Sequence, residues 1–403
     1  MSCIAIHHPE KCRHCGACSE IVNCPGAEEL ICIGCGACVL TCPYQALELL
    51  EAPREREVTI EVNGKLAAVP EQISVKDALI EASYPLALSP QESGLFAPCE
   101  AGGCWSCAVE IDGVVKPACR TIVRKGMKIR TGLPEEYVPR RIILNFQGHP
   151  MGGVGTPRHS RGNNGFYLEA VCFTAGCNLR CPSCQNWPIT YMGQGEALTP
   201  QEAARRLTTV RESLELSRMT VSGGESTLNR AWLTLFLKEM RGLNPDPEAR
   251  FHIDTNGSLL THDYIDELVD AGMTDIGIDL KALETDTFMR ITGLSNRDLA
   301  ENYRETAWKA VRYLIHNYSE KIFVGVGIPY NRAFTSPSKI SRMGQKLLEI
   351  APSLQVTVLN YRSAFRSNIV KPEDMEMMAI RDVLQDMGLK NVVVQTTAGN
   401  IGP

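Results

Sequence analysis

Downstream of about residue 166 the chain alternates between two hydrophobic patterns. Short apolar runs cover 166–171, 219–222, 251–254, 275–280, 322–328, 355–360 and 391–395. Between them, apolar positions recur at helical spacing over 200–215, 229–242, 262–271, 301–317, 337–350 and 372–387. Thr199, Pro200 and Glu202 spell a capping box with proline at the first helical position, and Ser336-Pro337 repeats the device without the acid. Strand and helix in strict alternation imply a parallel sheet with crossover helices, wrapped as a full or partial barrel.

The first 163 residues follow other rules. Positions 58–62 alternate polar and apolar, Asn63-Gly64 and Asp112-Gly113 are hairpin signals, and a helix is predicted over 75–82. These place a small domain at 56–132. Residues 1–50 hold an internal repeat of cysteine runs, and 164–403 form the barrel domain. Between them, 133–163 is rich in Pro, Gly and Arg, shows no sustained period and reads as a connector. Its His149 and His159 are read as solvated loop residues rather than as groups reaching an active site.

Composition narrows the classes. At 403 residues the chain has room for two or three domains. A net charge of -5 leaves no basic footprint for nucleic acid. No run of eighteen apolar residues and no leader pattern is present, so no membrane partner and a cytoplasmic location are expected. Seventeen cysteines gathered in C-x2-C runs then indicate metal sites rather than disulfides.

The repeat reads Cys12-x2-Cys15-x2-Cys18-x5-Cys24-Pro25 and then Cys32-x2-Cys35-x2-Cys38-x3-Cys42-Pro43. The second is the bacterial ferredoxin run, whose fourth cysteine serves the other cluster. That assigns Cys12, Cys15, Cys18 and Cys42 to one auxiliary 4Fe-4S cluster and Cys24, Cys32, Cys35 and Cys38 to another. Cys99-x4-Cys104-x2-Cys107 with Cys119 has plant-type 2Fe-2S spacing. The string Cys99-Glu-Ala-Gly-Gly-Cys104-Trp-Ser-Cys107 with Pro117-Ala-Cys119 resembles the 2Fe-2S beta-grasp domain of succinate dehydrogenase iron-sulfur subunits. In that family these four cysteines are the ligands, and the position of Trp105 is commonly glycine.

Cys177-x3-Cys181-x2-Cys184 supplies only three thiolates, enough for three irons of a cubane and leaving the fourth iron open to chemistry. A zinc or disulfide site fails on supply, because no cysteine follows Cys184. The loop resembles the signature of the radical S-adenosylmethionine (radical SAM) superfamily. Its continuation Gln185-Asn186-Trp187 resembles the branch of pyruvate formate-lyase activating enzyme. That likeness implies a partial barrel of six strand-helix units and a third 4Fe-4S cluster that binds SAM. One electron then splits SAM to a 5'-deoxyadenosyl radical, which abstracts hydrogen. The usual aromatic before the third cysteine is here Ser183, so adenine packing is expected from elsewhere, with Trp187 the candidate.

Gly223-Gly224-Glu225 after the second predicted strand resembles the SAM-amine motif of that superfamily, with Glu225 a partner for the amine. Asp254-Thr255-Asn256-Gly257 and Asp279-Leu280-Lys281 resemble the D-T-N-G and D-L-K motifs of the activating enzyme. There, by position, Asp254, Thr255, Asp279 and the Gly277 carbonyl bind a monovalent cation and Lys281 contacts SAM; direct SAM binding by the acids is the alternative. Arg362 and Arg366 are read either as substrate-facing cations or as solvent-facing ones. The expectation is an oxygen-sensitive, anaerobic α/β radical SAM oxidoreductase with built-in electron relays, taking electrons from a low-potential donor. A glycyl-radical enzyme or other protein substrate is its expected partner. The alternatives are radical modification of a small molecule or a peptide side chain, and an electron-transfer protein with a non-catalytic barrel.

Overall fold

The computed structural model describes residues 2–160 and 167–402. Seven parallel strands order the larger part: β1 (Glu169–Thr174), β2 (Arg218–Gly223), β3 (Arg250–Thr255), β4 (Asp275–Asp279), β5 (Phe323–Tyr330), β6 (Gln355–Asn360) and β7 (Asn391–Thr396). Each pairs with the next in that order. The crossovers are α1 (Pro200–Ser213), α2 (Arg230–Leu243), α3 (His262–Ala271), α4 (Thr285–Thr292) with α5 (Arg297–Tyr318), α6 (Pro337–Ile350) and α7 (Asp374–Asp386). The sheet does not close on itself, because Ala197–Leu198 and Gly399–Ile401 stand at its two ends. The architecture is therefore a partial barrel of six strand-helix units and a seventh strand.

Local sequence explains the helix starts. Thr199 accepts from the Glu202 amide while Glu202 reaches back to the Thr199 amide, and Pro200 opens α1. Ser336 caps α6 in the same way through the Lys339 amide. The inner faces of α2 and α3 bury Trp232, Phe236 and Tyr264 against the apolar strands. Helix α4 escapes the sequence pattern because its eight residues bury only Phe288, Ile291 and two threonines. Strand β1 begins at Glu169 rather than 166, and Phe166 lies outside the described residues.

The connector is the main correction. Arg141–His149 is a strand paired antiparallel with β1. Beyond it the chain enters the barrel lumen. Gly153 lies against the Asp254 carboxylate at the top of β3, and Gly155 against the Gly277 backbone of β4. Lower down, Gln355 at the foot of β6 accepts from the Arg158 amide and donates to the Thr156 carbonyl, both at 2.9 Å. A Cβ on Gly277 would sit 2.3 Å from the Gly155 nitrogen, and one on Gly325 would sit 2.3 Å from the Val154 carbonyl. These strand glycines exist so that a second backbone can lie on them.

At the barrel's lower end a buried ionic group ties the strands together. Arg218 Nη1 is 3.1 Å from Asp275 Oδ1, and Arg250 donates to the other Asp275 oxygen at 3.0 Å. Tyr167 and Thr220 donate to Glu169 at 2.7 and 2.8 Å.

Ahead of the barrel, strands Cys3–His7 and Leu47–Glu51 pair antiparallel and enclose two short helices, Ala17–Glu20 and Ala37–Thr41. Next comes a five-stranded sheet with the helix Val75–Glu81 packed on it. Its two hairpins turn at Asn63-Gly64 and Asp112-Gly113, all four residues at positive φ as type I' geometry requires.

Candidate active site and its cysteine sets

The loop after β1 carries Cys177, Cys181 and Cys184 onto one wall of a cavity of about 300 Å³, within the range of small-ligand sites. Burial pushes all three thiols up, Cys181 to about 12, and neighbouring thiols add to it at Cys177 and Cys181. Crowded thiols that resist ionising together are what a polycationic iron centre relieves. The thiols that press on Cys177 are Cys181 and Cys184, and its sulfur accepts from the Leu179 amide at 3.4 Å. These residues fit a cluster with three protein ligands.

The same cavity is lined by Gly223, Gly224, Asp254, Thr255, Asp279 and Lys281, so six residues read from the sequence as SAM contacts share a wall with the thiols. The glycines are obligatory. Gly223 has φ of 118°, and a Cβ on Gly224 would lie 2.1 Å from the Gly176 carbonyl. Glu225 is placed differently from its expected role. It is fully buried behind the glycines, with Oε1 accepting from Thr227 N, Thr227 Oγ1 and Thr255 Oγ1, and Oε2 from Asn256 N at 2.7 Å. It holds the second and third strand-end loops together, and its oxygens are taken.

Lys281 Nζ lies 2.8 Å from Asp279 Oδ2. Burial opposes its charge, but Asp279 and Cys181 outweigh burial and keep the ammonium protonated. Asp254 Oδ1 lies 3.1 Å from Nε2 of the buried His252. Its carboxyl stays below the usual range, because His252 and Ser222 overcome the cost of burial. Both acids thus already have a basic neighbour.

Trp187 does not line the cavity; it stacks on Phe365 with centroids 5.2 Å apart. The aromatic side chain that does is Tyr361, at the end of β6, which accompanies Ser183. The sequence places Tyr361, with Arg362, in a substrate-facing position after the sixth strand; its neighbourhood with the cysteine loop shows only in the curved sheet. Arg366 is half-buried and turned from the cavity: it donates to the carbonyls of Cys42, Val39 and Leu40 at 3.0, 2.5 and 3.1 Å. Arg362 is exposed at the rim beside Gln185, 3.4 Å away. His149 packs edge-on against Phe173 and donates to the Met151 carbonyl, away from the cavity. The His159 side chain lies outside the described residues.

Among the described residues no three His, Cys, Asp or Glu side chains meet at a single-ion point. The fit of the other sets to clusters rests on donor chemistry. Cys18 is pushed up by burial and by Cys42, Cys15 and Cys12, while Cys38 is pushed to about 12 by burial and by Cys35, Cys32 and Cys24. These are the two groupings that the crossed ferredoxin pattern implies. Amides of Ala5, His14 and Ala46 donate to Cys32, Cys12 and Cys42 sulfurs at 3.2 to 3.4 Å, the usual support of cluster thiolates. Cys99, Cys104, Cys107 and Cys119 are all buried, with the first two sulfurs 3.1 Å apart. A hydrogen bond from Cys104 and three backbone amides draw Cys99 down to about 6. Trp105, between them, holds φ of 59°, which explains why glycine suits that place.

Comparison with known proteins agrees with this order of parts. Residues 28–48 match the 4Fe-4S binding domain, 55–133 the 2Fe-2S iron-sulfur cluster binding domain, and 171–333 the Radical SAM superfamily. The chain carries a radical SAM domain behind two iron-sulfur domains. It is 22% identical over 250 residues to a GTP 3',8-cyclase of Bradyrhizobium diazoefficiens, covering 59% of this chain and 68% of that one. A second GTP 3',8-cyclase, from Rhodopseudomonas palustris, is 29% identical over 33% of this chain and 38% of its own length. Pyruvate formate-lyase 1-activating enzyme of Escherichia coli is 29% identical over 37% of this chain and 59% of its own. The matches thus span between about a third and two thirds of these relatives. Among the described residues no helix is long and apolar enough to cross a membrane.

Proposed function

We propose that this chain reductively cleaves SAM and directs the resulting hydrogen abstraction to a glycine of a partner protein, as a glycyl-radical-enzyme activase. Three 4Fe-4S clusters and one 2Fe-2S cluster complete it in this reading. When bound, a 4Fe-4S centre with an open iron supplies the electron that breaks a carbon–sulfur bond of SAM and so generates the 5'-deoxyadenosyl radical. Cys177, Cys181 and Cys184 hold that centre. The Gly223-Gly224 backbone accepts the SAM amine, Lys281 meets its carboxylate, and Tyr361 lies against adenine beside Ser183. Because Asp254 and Asp279 are already neighboured by His252 and Lys281, direct contact with SAM suits them better than a cation between two free acids.

The observation that carries the choice of substrate is the charge of the cavity. Lys281 is its only cationic lining residue among those described, and it is paired with Asp279. Beside the three thiols, Asp254 and an apolar fraction, the lining is amide and hydroxyl, with Thr357, Asn360, Tyr361, Gln395 and Asn400 among it. Amides that both donate and accept suit a peptide backbone. The nucleotide substrate named for the cyclase relatives would call for charge-assisted contacts to its phosphates. A low-potential donor and a reducing, cytoplasmic setting complete the picture. The test is anaerobic incubation of reconstituted protein with SAM, dithionite and a glycyl-radical enzyme. A backbone-carbon radical in the partner by EPR supports the reading, whereas turnover of GTP to a cyclised product with no such radical overturns it.

A further inference from the structure

The 2Fe-2S loop is wedged against the root of the barrel's cysteine loop. A Cβ on Gly176, the residue ahead of Cys177, would lie 2.7 Å from the Cys104 Cβ and 3.1 Å from the Cys99 Cβ. Arg180 spans the same junction, donating to the Cys177 carbonyl at 2.8 Å and to the Pro98 and Cys99 carbonyls at 3.0 and 3.4 Å. Asn229, at the start of α2, donates to the Cys104 carbonyl at 3.0 Å, and the Ile142 amide to the Gly103 carbonyl at 3.0 Å. Trp105 packs on Ile142, Ala175 and Ala197. Contacts this dense, converging on main-chain carbonyls of both loops, fix a distance rather than merely dock a domain.

On its far side the same loop meets the outer sets through one residue. Arg120 follows Cys119 directly in the chain, and its Nη1 donates to the Cys35 sulfur at 2.5 Å. Its Nη2 donates to the carbonyl of Asn23, next to Cys24. Its stem lies on Gly102. The set containing Cys42 meets the barrel by other contacts: Arg366 donates to the Cys42 carbonyl and gives its own amide to the Pro182 carbonyl at 2.9 Å, and Gln194 donates to the Ser19 carbonyl at 3.0 Å, so no residue of the 2Fe-2S loop stands between them.

We propose that the thiols Cys99, Cys104, Cys107 and Cys119 form the last relay before Cys177, Cys181 and Cys184. In this relay Arg180 positions the inner junction and Arg120 the outer one, to the set of Cys24, Cys32, Cys35 and Cys38. This rests on the reading that all four sets hold clusters. A low-potential one-electron reductant, dithionite in the test, is oxidised by one electron. That electron moves inward through the sets with no bond made and no proton moved. The only bond that breaks is the carbon–sulfur bond of SAM at the end of the path. Arg120 acts on the outer set by its charge: a cationic donor at a cluster sulfur favours the reduced, more negative state.

The test uses the full chain, reconstituted and reduced, with microwave power saturation of the 2Fe-2S EPR signal. A nearby paramagnet speeds relaxation steeply with proximity. Removing the barrel set by Cys177→Ala/Cys181→Ala/Cys184→Ala is expected to lower the half-saturation power several-fold, and Cys12→Ala/Cys15→Ala to change it far less. A larger change from the outer pair, or none from the barrel triple, overturns the proposal. In potentiometry, Arg120→Met is expected to lower the midpoint potential of a 4Fe-4S signal, with Arg120→Lys restoring most of it; unchanged potentials in both overturn the role of Arg120. These readouts need no SAM turnover. Failure to form 5'-deoxyadenosine would therefore count against the proposed function and leave the relay to be judged on its spectra.

Discussion

Thr255 Oγ1 donates to Glu225 Oε1 across 2.5 Å, and so the loop ending the third barrel strand is fastened to the loop ending the second. Four donors converge on that one carboxylate inside a fully buried site. Glutamine in its place offers a single acceptor oxygen and turns an amide NH2 toward at least one donor. Glu225→Gln is expected to cost about 1–3 kcal/mol in urea unfolding. It should also weaken SAM binding at least tenfold in calorimetry, or about 1.4 kcal/mol, because the glycine wall shifts. Wild-type values in both would mean that the carboxylate does not organise the wall.

Tyr361 and Trp187 make opposite predictions. Tyr361 lines the cavity with Ser183, whereas Trp187 stacks on Phe365 away from it. Tyr361→Ala is expected to raise the Kd for SAM by roughly five- to tenfold, the scale of a lost aromatic contact of about 0.5–1.5 kcal/mol, and Tyr361→Phe to leave it near wild type. Trp187→Ala should lower thermal stability with little change in Kd. Calorimetry on the reconstituted proteins separates the two.

Asp275 is wholly buried between Arg218 and Arg250. Burial alone would raise its carboxyl, yet Arg218 and the hydrogen bonds of Arg250 and Thr274 hold it below the ordinary range. The folded value lies below the unfolded value of about 3.9. The carboxylate therefore contributes stability above about pH 4, and that stability is lost as pH falls through the folded value. Asp275→Asn is expected to cost about 3–5 kcal/mol at pH 7, since it strands buried guanidinium charge. Its stability should then fall less steeply than wild type below about pH 4. Urea unfolding across a pH series reads both.

The lumen segment predicts a packing effect. Gly277→Ala places a methyl 2.3 Å from the Gly155 nitrogen and 2.9 Å from the Asp254 carboxylate, so the Gly155 backbone itself must shift. Overpacking of this kind costs about 1–3 kcal/mol. The expected result is a lower thermal midpoint and faster proteolysis within residues 150–160. Unchanged protease sensitivity would show that the segment is not held by the strands.

Period and motif made the barrel legible. Strand runs such as 355–360 coincide with observed strands because both faces of a parallel strand are buried, and α1 begins where its capping box says. The two iron-sulfur domains were legible through cysteine spacing. What escaped depends on contacts distant in sequence. Gly277 and Gly325 look like ordinary strand glycines until the connector lies on them, and Arg366 looks like a substrate arginine until the Cys42 carbonyl is found beneath it. Glu225 carries the motif's acid, but only the third strand shows that its oxygens are occupied.

The central claim is that Cys177, Cys181 and Cys184 hold the centre at which SAM is cleaved. Anaerobic reconstitution with iron and sulfide, reduction with dithionite and assay of SAM for 5'-deoxyadenosine test it beside Cys181→Ala. The account predicts product from the intact chain and loss of at least a hundredfold in the variant. Full iron content with no product from either, even with candidate partners present, would contradict it and leave a multi-centre electron-transfer protein.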